Sequence, residues 1–202
     1  MRIRIWPLCL LVLIGIRPPA AGAQSLRVRI DVSQLRLTAP DLHFITGEAL
    51  RQLHNGASVN YGFVARILPQ KSGAPLTESA YRFAISYDLW EEKYAVTRLE
   101  PSPRSVSHLS SSAAETWCLE SITLAIDKLG ADQPFWVAVE YQIVEAQQQL
   151  DASDDARFTL TGLIDVLSRR SSKKELSGKK EGGPFRLSDL RRSNPVRNPE
   201  NR

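Results

Sequence analysis

Val59-Asn60-Tyr61-Gly62-Phe63-Val64-Ala65-Arg66-Ile67 decides the fold class of this chain. Val59, Tyr61, Phe63, Ala65 and Ile67 take every second position, with Asn60, Gly62 and Arg66 between them and Val64 as the exception. A period of two is that of a strand with one buried face. A turn-rich stretch, 69–75, ends the run. Tyr81, Phe83, Ile85, Tyr87 and Leu89 then alternate with Arg82, Ala84, Ser86, Asp88 and Trp90. Glu91-Glu92 is short enough to turn the chain, although it lacks Asn-Gly chemistry, and Tyr94, Val96 and Leu99 mark the returning strand.

Working outward, Leu26 to Val32 alternates apolar and polar residues and reads as a half-buried strand that continues to Leu37. Thr46 is placed to cap a short helix over 47–54, Glu48 suits its first turn, Leu50 and Leu53 give it an apolar stripe, and Asn55-Gly56 is a left-handed stop. Residues 100–112 read as a Ser- and Pro-rich loop, 113–119 as a short helix, and 122–129 as either strand or helix. Residues 135–144 are a strand, 147–156 a polar acidic loop, and 158–170 a strand end followed by a helix carrying Leu163, Ile164 and Leu167. Beyond Arg170 the chain is polar and turn-prone. A basic, mostly disordered tail over 171–202 is expected, whose deletion would leave the melting temperature nearly unchanged. Its apolar island, Phe185, Leu187 and Leu190, is a candidate partner surface.

The expected architecture is mainly β: an antiparallel β-sandwich, immunoglobulin-like or similar, over 25–168, with two or three short helices and a disordered C-terminal tail. Polar residues opposite the apolar ones suit sheets solvated on one side. Val59, Tyr61, Phe63, Ile67, Phe83, Ile85, Tyr87, Val137, Val139 and Tyr141 are the expected core.

Residues 1–23 read as a secretory signal. Arg2 and Arg4 precede an apolar run, 5–16, and Ala21-Gly22-Ala23 supplies the small residues of a cleavage site before Gln24. The run is too short to span a bilayer, which takes roughly 20 residues. Cleavage would remove three of the 26 basic residues and no acid, leaving 23 against 22 acids. The remaining charge is segregated: 24–168 holds 12 basic and 18 acidic residues, and 169–202 holds 11 and 4. That asymmetry points to an interaction tail facing an envelope protein or an anionic surface. Nucleic acid does not fit an exported chain whose lysines carry no interleaved aromatics. No transmembrane span is expected after cleavage.

Catalytic and cofactor motifs are missing from the sequence. There is no H-E-x-x-H, C-x-x-C, G-x-S-x-G, G-x-x-x-x-G-K-[ST] or G-x-G-x-x-G. No cofactor or metal is implied. Asp151, Ser153 and Asp155 sit at alternate calcium-ligand positions, but the loop lacks the required glycine and the closing Glu. Cys9 leaves with the signal, and Cys118 reads as a small buried hydrophobe rather than a nucleophile. Glu91 and Glu92 at a solvated turn do not make an acid/base pair. Trp90, on the polar side of its strand beside that turn, is a candidate contact residue, with Glu91 and Glu92 as neighbours; the alternative is that it packs under a neighbouring loop.

One resemblance bears on this pattern. Thr46-Gly47-Glu48-Ala49-Leu50 leads through Asn55-Gly56 to Val59, Tyr61 and Phe63; Tyr87-Asp88-Leu89-Trp90-Glu91-Glu92-Lys93-Tyr94 forms an aromatic-polar turn; and Pro134-Phe135-Trp136-Val137 opens a later strand. Over 26–145 this arrangement resembles a bacterial exported family known only as domain of unknown function 4390. The resemblance implies an envelope location (periplasm or outside the cell) and no enzymatic activity, and it transfers no functional residue. The resulting expectation is a non-enzymatic binding or adaptor module. The alternatives are a carrier of a lipid or small apolar ligand between the sheets and, behind it, a hydrolase.

Overall fold

A computed structural model describes residues 26–144 and 177–193. In chain order these form β1 (Arg27–Asp31), β2 (Gln34–Thr38), α1 (Gly47–His54), β3 (Val59–Leu68), β4 (Thr77–Asp88), β5 (Lys93–Glu100), β6 (Arg104–Leu109), α2 (Ser111–Glu120), β7 (Thr123–Ala125), β8 (Phe135–Val144), β9 (Ser177–Phe185) and α3 (Leu187–Ser193). A six-stranded sheet runs β6-β5-β4-β3-β8-β9 and a three-stranded sheet runs β1-β2-β7, with every pairing antiparallel. The molecule is a mainly β sandwich with short helices, as the alternation in β3 and β4 requires.

The core lies between the sheets. Tyr61, Phe63, Ile67, Phe83, Ile85, Val137 and Val139 of the large sheet meet Leu35, Leu37 and Leu124 of the small one, with Leu53, Cys118 and Leu119 from the helices, in one buried cluster. Tyr87 and Tyr141 pack on it half-buried. Phe44 is edge-on to Tyr61 and Phe63 at centroid distances of 4.9 and 5.2 Å, an arrangement aromatic quadrupoles favour. On the opposite face of β3 and β8, Val64, Ala138 and Val144 are buried as well. The central strands are therefore covered on both sides, and the expectation of water along one whole face does not hold for them. Also on that face, Arg66 bridges Glu78 and Glu140, and Lys179 bridges Glu140 and Glu181, which ties β4, β3, β8 and β9 into one ionic ladder.

Local chemistry explains the helices. α1 ends in a Schellman motif: Gly56, at φ 81°, donates its N–H to the Leu53 carbonyl, and Ala57 donates to Gln52. Thr46 stands at the N-cap without a side-chain capping bond. α2 is capped by Ser110, whose hydroxyl accepts from the Ala113 N–H at 3.2 Å.

Three expectations are corrected. The single strand read over 26–37 is a hairpin, β1 and β2, turning at Val32-Ser33 with Asp31 opposite Gln34. The turn escapes notice because it holds no Gly or Asn; Val32 itself adopts φ 56°, which is rare for a β-branched residue. Part of the loop read over 100–112 is β6, an edge strand paired to β5. The boundary at 168 also fails as the end of ordered structure, because 177–193 is not a disordered tail. β9 pairs with β8 from Phe135↔Phe185 to Gln142↔Ser177, and α3 packs against β1. Its glycines explain why β9 does not look like a strand. A Cβ on Gly178 would come within 2.6 Å of the Tyr141 ring, and one on Gly182 within 2.9 Å of the Leu26 carbonyl. The readings made over 147–156, 158–170, the Asp151 loop and residues 1–23 lie outside the described residues.

Candidate contact site at the turn between β4 and β5

Asp88 and Lys93 pair across the hairpin and leave Leu89-Trp90-Glu91-Glu92 as its turn. The Asp88 carboxylate Oδ1 accepts the Trp90 N–H at 2.8 Å and the Glu91 N–H at 3.0 Å, an Asx turn. Those two donors, Glu91 foremost, hold the Asp88 carboxyl below its ordinary value. Glu92 completes the reversal at φ 53°.

The turn is tied to its surroundings at two further points. Glu91 Oε2 lies 2.9 Å from His108 Nε2 on β6, and His108 Nδ1 lies 2.9 Å from the Ser107 hydroxyl. At the base of the hairpin, Tyr87 packs on the His54 ring at 4.5 Å and on Tyr94 at 4.8 Å, while the Tyr94 hydroxyl lies 3.4 Å from His54 Nε2. Burial there pushes the Tyr94 hydroxyl up from its ordinary value. The end of α1, the hairpin and the edge strand thus form one platform.

From that platform Trp90 is 97% exposed and Leu89 57% exposed. Trp90 is therefore not a residue packed under a neighbouring loop. It belongs to the turn itself, two residues beyond the last strand residue. Glu91 faces His108 and Glu92 is exposed, so the two carboxylates do not share a site.

The C-terminal candidates lie elsewhere and face inward. Leu187 is 2% exposed, Phe185 packs on Phe135 at 5.9 Å, and Leu190 is half-buried against the same core. They are core residues rather than a partner surface. Sequence hides this placement because β9 holds no large apolar residue before Phe185.

One polar constellation was not legible. Glu115, 4% exposed on α2, accepts the Phe44 and Ile45 N–H groups on Oε1 at 2.7 and 2.8 Å, and its Oε2 lies 2.9 Å from His43 Nδ1. Both oxygens are engaged with the segment that enters α1, so this carboxylate clamps that segment. Cys118, one turn further along α2, is fully buried, and burial together with the Glu115 charge pushes its thiol up, away from the thiolate a nucleophile needs. Among the described residues, no three His, Cys, Asp or Glu side chains converge to hold a metal ion, and no helix is long and apolar enough to cross a membrane.

No protein-family model matches this chain, and no curated protein or solved structure is significantly similar to it.

Proposed function

We propose that this chain is an exported bacterial envelope protein acting as a non-enzymatic binding or adaptor module, and that it contacts its partner through Leu89 and Trp90. The observation that carries the reading is the 97% exposure of Trp90 on a turn held by Asp88, His108 and the Tyr87–His54 stack. A large aromatic side chain offers extensive contact area, and a backbone turn that is already held loses little conformational freedom on binding. Export is supported by residues 1–23 and by the family resemblance of 26–145.

The carrier alternative gains less. The rings it would use as a lining, Tyr61, Phe63 and Tyr87, are each engaged by another ring at 4.5–5.2 Å.

The test is native mass spectrometry of the protein recovered from the envelope of cells that produce it. The intact chain should carry a partner, and Trp90→Ala should reduce its retention roughly 30-fold, as truncation of a central aromatic contact does. Equal retention by both would overturn the reading.

A further inference from the structure

Folding brings together basic residues that lie about 160 positions apart in sequence. β1 is the outer strand of the small sheet, and α3 packs beside it. Val28 and Ile30 turn toward the core, which leaves Arg27, Arg29 and Asp31 on the outer face. Arg29 stands directly opposite Arg36 of β2. Like charges in that position repel, which Asp31 partly offsets at Arg36.

The two acids on these elements are already engaged. Asp31 takes the Arg36 Nε–H at 2.6 Å, and Asp189 of α3 lies 3.4 Å from Arg192. Arg27, Arg29, Arg186 and Arg191 are exposed and have no ion-pair partner among the described residues. Asp132 is a further acid near α3, since it follows the Ala131 whose carbonyl accepts the Ser188 N–H. Lys179 is committed to Glu140 and Glu181 on the large sheet.

We propose that the border formed by β1 and α3 is a docking surface for an anionic phospholipid bilayer. Arg27 and Arg29 share one face of β1, and the exposed Arg186 and Arg191 belong to the segment that packs beside it. Each basic residue held near an anionic leaflet strengthens binding on the order of fivefold, and salt screens the attraction. The surface is distinct from the Trp90 turn, where Asp88, Glu91 and Glu92 would repel such a bilayer.

The experiment is vesicle co-sedimentation of the full chain lacking residues 1–23, at low and high salt. The vesicles are either phosphatidylcholine alone or phosphatidylcholine with about a third phosphatidylglycerol. Two triple variants are compared: Arg27→Gln/Arg29→Gln/Arg191→Gln, and Lys71→Gln/Lys93→Gln/Arg104→Gln, which removes the same charge from elsewhere. The expected result is salt-sensitive binding to anionic vesicles only, weakened on the order of a hundredfold by the first triple and far less by the second. All substituted residues are exposed, so both variants should melt with the parent chain. No binding to anionic vesicles at low salt, equal binding to neutral ones, or equal weakening by the two triples would each overturn the proposal.

Discussion

The Glu115 carboxylate accepts the Phe44 amide N–H at 2.7 Å, joining residues 71 positions apart. The same oxygen serves Ile45 at 2.8 Å, so one buried side chain satisfies two backbone donors that no strand or helix pairs. Removing it strands both N–H groups away from water. Glu115→Ala should therefore cost about 2–6 kcal/mol, at roughly 1–3 kcal/mol for each buried unsatisfied donor. Glu115→Gln keeps an acceptor oxygen and should cost about 1–2 kcal/mol. Urea denaturation gives both numbers, and a loss below about 1 kcal/mol for the alanine variant would mean the carboxylate is not a clamp.

A second prediction concerns pH. The Asp88 carboxyl is held below its ordinary value of 3.8 by the Glu91 and Trp90 N–H groups. A group lowered on folding stabilises the protein above its unfolded value, and that contribution disappears as pH falls through the folded value. The melting-temperature difference between the parent chain and Asp88→Asn should be constant from about pH 7 down to about 5, then shrink toward zero below about 4. A difference that persists or grows in acid would contradict the Asx turn.

The C-terminal strand and helix should be indispensable. Ending the chain at residue 176 removes Leu187 from the core and Phe185 from Phe135, and opens β8 along its length. Leu187→Ala alone should cost about 2–5 kcal/mol, comparable with the roughly 3–5 kcal/mol expected for Phe63→Ala in the centre of the sheet. The truncation should unfold or melt far below the full chain. A melting temperature within about 2 °C of it would restore the boundary at 168.

Cys118 offers a probe that needs no substitution. It is fully buried beside Glu115, and its thiol is shifted up by burial. Its reaction with an aromatic disulfide reagent should be slow in buffer and rise with urea in step with unfolding. Fast labelling of the native protein would place it in a reactive site.

Legibility followed burial. β3, β4, β5 and β8 are visible in the sequence because each turns alternate residues into the core, and burial imposes a period of two on those positions. β6 and β9 are edge strands. With one neighbour and exposed side chains, Ser105, Ser107 and Lys179 satisfy the structure without producing alternation. β9 was further disguised by the close approaches at Gly178 and Gly182, which exclude the side chains that would have marked it. At the β4–β5 turn, the exposed Trp90 stands out because a large aromatic residue breaks the polar side of an otherwise regular hairpin. His108 and His54, which help hold the turn, do not, since their partners are 17 and 33 residues away, at Glu91 and Tyr87. Glu115 gave no signal because its principal partners are backbone amides, which sequence does not distinguish.

Trp90 touches little of its own chain, so Trp90→Ala should change stability by no more than about 0.5 kcal/mol. The central claim is that this side chain is exposed in order to meet a partner. Its most direct test is a photo-crosslinking side chain introduced at position 90, with a matched one at Val32, which is 91% exposed on the β1–β2 turn of the other sheet. Irradiated in the envelope of producing cells, the protein labelled at 90 should give one discrete adduct that the protein labelled at 32 does not. No adduct at 90, or the same adducts at both positions, would contradict the claim.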